Sequence, residues 1–239
     1  PRSTLFPYTT LFRSFLVFPY LSLAVFVVGH AYRYLTDPFH WNARSSELLD
    51  KQSLRWPSLF FHYGVIFTFV GHFGGLLIPQ AVYDHFGIDG QTHTRIAQVL
   101  GMLFGAAALL GSGWLLWRRV TSKRLLATSS VMDVVTSLLL VLVIGMGTFN
   151  AFFGHFYVLD TVAPWIRSIV TFMPEPRLMA HVPWSYQLHI LLAFSLFALS
   201  PFTRLIHIWS VPVVYVFRSH LVIRKRCPEL GQAPRPIGE

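Results

Sequence analysis

Five long apolar runs alternate with polar connections along the 239-residue chain. A helix crossing a hydrocarbon core of about 30 Å needs about 20 such residues. The first run extends from Phe15 to Tyr34, the second from Pro57 to Val82 and the third from Ile96 to Trp117. The fourth covers Leu126 to Phe149 and the fifth Trp184 to Val211. This pattern predicts an all-α membrane protein, a single five-transmembrane-helix bundle without a separate soluble domain. Residues 152–183 are too irregular to span. Within them Ala163–Phe172 is expected to form a short helix on the membrane surface, with Trp165 at the headgroup level.

The connections add detail. Leu35–Trp56 is polar, and Tyr83–Arg95 is a second loop containing Asp84, Asp89 and His93. In the third run Gly101, Gly105, Ala108 and Ser112 form a small-residue stripe that admits a close neighbouring helix. Asp133 opens the fourth run near Arg118, Arg119, Lys123 and Arg124, and is expected to pair with a neighbouring Arg or Lys. The connection after the first run carries Arg33, Arg44, Lys51 and Arg55, and the C-terminal exit carries Arg204, Arg218, Arg224, Lys225, Arg226 and Arg235. The opposite connections hold only Arg95, and then Arg167 and Arg177. By the positive-inside rule the C-terminus is cytoplasmic and the N-terminus outside.

Composition agrees with a polytopic membrane protein. Hydrophobic residues make up 54% and charged residues 12%, with a mean hydropathy of +0.53, far from a soluble domain's balance of about a quarter charged. The net charge of +9 sits in span-flanking loops, so no nucleic-acid partner is expected. One cysteine, Cys227, excludes an internal disulfide and a Cys-ligated iron–sulfur cluster within this chain. No internal repeat of the transporter kind is apparent. Residues 4–14, TLFPYTTLFRS, read as a one-frame translation of a common sequencing adapter, and the chain lacks an initiator Met. Residues 1–14 are therefore expected to be an adapter-derived scar or a disordered segment. Residues 15–226 form the bundle domain, and 227–239 are a disordered tail.

Candidate chemistry lies in histidines. His62 and His72 are the only ionisable side chains of the second run, and the fifth holds His189 and His207. Ionisable groups at membrane depth are costly unless paired, which makes them functional hypotheses. Two helices with two histidines each suggest cross-helix pairs holding haem iron. The two runs cross in opposite directions, so His62 pairs with His207 near the cytoplasmic face and His72 with His189 near the outer face. His62 and His72 lie about 15 Å apart along a helix, whereas His189 and His207 would be about 27 Å apart on a straight one. A kink at Pro201 absorbs part of that difference. A zinc or copper site would need ligands converging on one point, and these depths diverge. Gly64, Gly71, Gly74 and Gly75 fit either room for a flat macrocycle or a close helix contact. His30, near the end of the first run, reads as a structural hydrogen-bond partner.

Arg204-Leu-Ile-His207-Ile-Trp-Ser-x-Pro212, preceded by Pro201-Phe202, closely resembles the end of the gamma subunit of respiratory nitrate reductase. So do Phe61-His62-Tyr63-Gly64, Phe69-Val70-Gly71-His72-Phe73, Ala43-Arg44-Ser45-Ser46-x-x-Leu49-Asp50 and Ser168–Phe172. The likeness covers Phe15 to Arg226. It implies a five-span cytochrome b with two b-type haems between helices 2 and 5, the outer on His72 and His189 and the inner on His62 and His207. It further implies a bacterial or archaeal cytoplasmic-membrane protein that oxidises quinol from the membrane quinone pool near the outer face. Electrons then pass inward to an iron–sulfur beta subunit and a molybdenum catalytic alpha subunit, which reduces nitrate. His93 falls near a polar quinone-contacting position of that family, and Gly71 permits close quinone approach. Arg204 and Arg44 are candidate partners of the inner haem's propionates. The competing readings are a cytochrome b of a sulfite- or heterodisulfide-type reductase complex and, from another class, a transporter or haem exporter.

Overall fold

The computed structural model describes residues 5–37, 41 and 53–210. Arg44 and the tail 227–239 lie outside the described residues. Every regular element among those described is helical. The helices are α1 (Leu5–Phe12), α2 (Phe18–Thr36), α3 (Arg55–His72), α4 (Gln80–His85), α5 (Gly90–Thr121), α6 (Lys123–Ala127), α7 (Val131–Phe153), α8 (Val162–Val170) and α9 (Trp184–Leu199). Among the described residues five stretches are long and apolar enough to cross a membrane: Thr9–Thr36, Arg55–Leu77, Gly90–Thr121, Val131–Phe153 and Trp184–Phe202.

Local chemistry moves the boundaries away from the apolar runs. The second span ends in a π-turn, Phe73–Leu77, after which Ile78 is extended and Pro79 opens α4. Such π-turns are rare and concentrate at functional sites. The third span begins earlier than the hydrophobic run because the Asp89 carboxylate accepts the Thr92 N–H at 2.9 Å and caps α5. Hydrogen bonds from the Thr92 side chain and then its backbone hold the Asp89 carboxyl below its ordinary pKa. The fourth span starts later. Ser130 and Asp133 form a reciprocal capping box that fixes the first turn of α7.

The spans pack in the order α3, α5, α7, α9, α2. Glycine permits the closest approach: a Cβ at Gly64 would land on the backbone of Ala108, and one at Gly111 on the backbone of Phe61. The small-residue stripe therefore serves two neighbours. Ala108 and Gly111 meet α3, while a Cβ at Gly105 would lie 3.0 Å from Thr148 Oγ1 and one at Gly101 3.4 Å from Ala151 Cβ, both on α7.

Trp165 departs from the sequence expectation. It is fully buried, its Nε1–H donates to the Phe15 carbonyl at 3.0 Å, and its ring packs edge-on against Phe15 and Phe194. Helix α8 thus turns its apolar face into a core with Val162, Ile169, Met179, Val182 and Ile190. The buried surface is protein, so this tryptophan anchors the bundle and does not sit among headgroups.

Candidate functional site

Span five is not one straight helix. α9 ends at Leu199, a 3-10 turn covers Ser200–Phe202, Thr203 is extended (φ −127, ψ 177), and a second 3-10 turn runs Arg204–Ile208. Pro201 has no N–H to continue the ladder. The Thr203 side chain instead accepts from the Leu205 N–H at 3.2 Å and restarts the chain. Span five therefore reaches His207 by a broken path, and the straight-helix interval between its two histidines does not apply.

Consequently the histidines meet in two pairs. The His62 and His207 ring centroids are 6.3 Å apart with ring planes at 69°. Those of His72 and His189 are 6.0 Å apart at 38°. Each ring is held in the same way. Nδ1 lies 2.7 Å from the Ser58 carbonyl in His62 and 2.8 Å from the Thr68 carbonyl in His72. In His189 it lies 2.9 Å from the Val143 carbonyl, and in His207 2.6 Å from the Arg204 carbonyl. A carbonyl can only accept, so Nδ1 carries the proton on all four rings and the lone pair is on Nε2.

That tautomer suits a metal ligand, whose second nitrogen typically donates to a backbone carbonyl. The spacing suits it as well. With metal–imidazole bonds of about 2.0–2.1 Å and a ring nitrogen about 1.1 Å from its centroid, two axial imidazoles on one metal have centroids about 6.3 Å apart. Both pairs fall at that distance, so the residues present fit a planar metal macrocycle held between two imidazoles. No group of three or more His, Cys, Asp or Glu side chains capable of holding a bare ion occurs among the described residues.

The glycines divide by environment. Gly64 is a helix contact. A Cβ at Gly71, beside His72, would meet nothing within 4 Å, whereas one at Gly75 would sit 3.7 Å from His93 Nε2. The Gly71-x-x-x-Gly75 segment is therefore no close helix contact at Gly71. Sequence reasoning passed over Gly147: a Cβ there would stand 2.8 Å from His189 Cε1. Its only signal is a Gly145-x-Gly147 pair inside a largely apolar helix.

His93 is buried in the first turn of α5 and is not on an open loop. Its Nδ1 lies 2.8 Å from Gln80 Oε1, and its ring packs against Tyr83 with centroids 4.2 Å apart and planes tilted at 41°. Gln80 donates through Nε2 to Asp84 Oδ1 at 2.8 Å and to the Ile88 carbonyl at 2.9 Å. Its Oε1 is therefore the acceptor, and His93 keeps a lone pair on Nε2, the atom facing Gly75. Gln80 and Tyr83 are the members of this cluster that sequence reasoning missed.

Asp133 pairs with a distant arginine. Arg204 donates through Nε to Oδ1 at 2.8 Å and through Nη2 to Oδ2 at 3.0 Å, while Arg119 Nη1 approaches Oδ2 at 3.8 Å. His30 hydrogen-bonds Ser200 Oγ through Nε2 at 3.1 Å, and Arg33 donates to the Pro201 carbonyl at 2.7 Å. Span one thereby grips the upstream side of the break in span five.

Known proteins resemble this chain along most of its length. A family model described as nitrate reductase gamma subunit matches residues 10–226. The nitrate reductase gamma chain of Bacillus subtilis (strain 168) is 41% identical, over 88% of this chain and 96% of that one. The respiratory nitrate reductase 2 gamma chain of Escherichia coli (strain K12) is 35% identical, over 88% and 95%. The nitrate reductase-like protein NarX of Mycobacterium tuberculosis (strain ATCC 25618 / H37Rv) is 39% identical over 93% of this chain and 35% of its own length.

Proposed function

This chain belongs to the nitrate reductase gamma subunit family, and from that membership we propose that it is the membrane electron-carrying subunit of a quinol:nitrate oxidoreductase. It takes electrons from a membrane quinol at the His72–His189 end. It passes them towards a cytoplasmic iron–sulfur beta subunit, which supplies a molybdenum alpha subunit where nitrate is reduced. The observation that carries this reading is the pair of imidazole couples at 6.3 and 6.0 Å, each ring with Nδ1 on a backbone carbonyl.

His62 and His207 would hold the inner group through Nε2, and His72 and His189 the outer one. Two b-type haems bound there supply one-electron redox chemistry at two depths of the low-dielectric layer. The four carbonyls fix the ring planes and raise the basicity of Nε2. Gly147 leaves room for the His189 ring. The lysine and arginine bias puts the His62–His207 end and the C-terminus on the cytoplasmic side, so the His72 end faces out.

At that outer end His93 Nε2 accepts a hydrogen bond from a quinol hydroxyl, with Gln80 fixing the tautomer. Gly71 leaves the approach beside His72 clear. Oxidation of the quinol to quinone releases two electrons inward and two protons outward, separating charge across the membrane. Arg204, whose Nε and Nη2 also engage Asp133, would be a cationic partner for the inner group's carboxylates, and Arg44, outside the described residues, is the second candidate by sequence.

A reduced-minus-oxidised optical spectrum with haem quantitation on the purified chain tests the reading, beside His72→Ala and His207→Ala. Two b-type haems per chain, one lost in each variant, are expected. Absence of stoichiometric haem, or haem indifferent to both changes, would overturn it.

A further inference from the structure

We propose that Asp133, on α7, is the positioning residue for His207 and acts on it through Arg204. The inference rests on the reading of His207 as a ligand. It begins from a mechanical problem. His62, His72 and His189 stand on α-helices whose ladders fix their backbones, whereas His207 stands on a five-residue 3-10 turn after a break. Such turns have poorer hydrogen-bond geometry than an α-helix. A ligand carried on one needs an outside anchor if its ring is to keep one orientation.

Upstream, the break is anchored by span one: His30 bonds Ser200, Arg33 bonds the Pro201 carbonyl, and a Cβ at Gly29 would lie 2.8 Å from Pro201 Cβ. Span one also packs on the downstream flank, where the Trp209 ring meets Phe26 and His30 edge-on. Within the turn, Arg204 has two functions at once. Its guanidinium forks onto the Asp133 carboxylate at 2.8 and 3.0 Å, and its own carbonyl accepts the His207 Nδ1–H at 2.6 Å. Locking the side chain to α7 therefore fixes the carbonyl that aims the imidazole at His62.

Asp133 is built as a rigid receiver. Its side chain is buried, it lies in the first turn of α7, and Oδ2 also accepts the Ser130 N–H at 3.0 Å. The helix N-terminus favours a carboxylate there, and Arg119 adds a second cation at 3.8 Å. Bidentate guanidinium–carboxylate pairs carry geometric specificity that a single point charge lacks. Without the carboxylate, two guanidinium groups face each other without their shared counter-charge, and Arg204 swings away with its carbonyl.

The test uses the assembled complex in native membranes, with optical redox titration, low-spin haem EPR and haem quantitation of wild type, Asp133→Asn, Asp133→Glu, Arg204→Lys and His207→Ala. Asp133→Asn is expected to keep two haems but shift the midpoint potential and EPR signal of one, the haem that His207→Ala removes, leaving the other as in wild type. Asp133→Glu keeps the charge and is expected to move the signal back towards wild type. If Asp133→Asn prevents assembly, Arg204→Lys decides, because it keeps the charge and loses the fork: the same single-haem shift is expected. Unaltered signals in the assembled variant, or equal shifts of both haems, would overturn the proposal. Two unaltered haems in His207→Ala would instead overturn the ligand reading on which it stands.

Discussion

Alanine at Gly147 puts a methyl group against the His189 ring, whose two sides can be accounted for. The new Cβ lies 2.8 Å from His189 Cε1, 3.3 Å from Nδ1 and 3.5 Å from Nε2. Carbon pairs are comfortable at about 3.5–4.0 Å, so the ring must retreat by roughly 0.7 Å or more. Val143, whose carbonyl accepts the Nδ1–H at 2.9 Å, lies one turn earlier on the same face of α7. A ring pushed off Gly147 is therefore pushed off Val143, and the bond stretches past about 3.5 Å, where it no longer counts as one. The lost bond costs about 1 kcal/mol and the overpacking about 1–3 kcal/mol.

Loss of an orienting partner typically lowers metal affinity about 10–100-fold. Gly147→Ala is thus expected to yield the chain with the His72–His189 haem depleted or shifted in potential and the His62–His207 haem unaltered, read by haem quantitation and redox titration. Gly145→Ala is the control. Its Cβ meets only Leu109 Cδ1, at 3.8 Å, an ordinary contact, and alanine is favoured over glycine in a helix by about 1 kcal/mol. Two haems with wild-type potentials in Gly147→Ala would refute this account of how His189 is held.

Gly111→Ala drives a methyl into the backbone of Phe61, next to His62, and should lower the melting temperature in detergent by an amount equivalent to about 3 kcal/mol; wild-type melting would refute the close approach of α3 to α5. Gly71→Ala meets nothing within 4 Å, so melting temperature and haem content should hold while quinol-driven haem reduction slows, and an unchanged rate would remove Gly71 from the quinol site. His93→Ala should likewise slow quinol-driven reduction several-fold with both haems retained, measured by stopped-flow absorbance with a soluble quinol. Trp165→Phe deletes the hydrogen bond to Phe15 at about 1 kcal/mol, and Trp165→Ala should cost about 3–5 kcal/mol; equal melting temperatures for both would place the ring outside the core.

The number of spans was legible because five apolar runs of sufficient length stand clear of their polar connections, and that signal survives almost any packing. Their ends were less legible, since hydropathy does not see caps. Asp89 starts α5 inside what reads as a loop, and Ser130 delays α7 inside what reads as a span. Ser130-x-x-Asp133 is a capping pattern visible in the sequence, and reading it would have placed the start of α7. Trp165 was misplaced for another reason. An amphipathic segment with a tryptophan looks the same whether its apolar face meets lipid or protein, and only the fold reveals Phe15 and Phe194 on the other side.

The histidine pairs were legible for a topological reason: helix direction alone decides which ring can face which, provided the four lie at two depths. What direction cannot supply is how each ring is aimed. Two of the aiming carbonyls, those of Ser58 and Thr68, lie one turn before their own histidines and follow from helix geometry. The others do not. The Val143 carbonyl reaches His189 from 46 residues away, and the Arg204 carbonyl reaches His207 only because the chain breaks at Pro201 and restarts as a 3-10 turn. The expected neighbour does reach Asp133, since Arg119 lies 3.8 Å away, but the closer Asp133–Arg204 pair spans 71 residues. Charge proximity along a chain favours neighbours, but a fork needs its carboxylate at a matching angle, and that angle is fixed where α7 passes beside the broken end of span five.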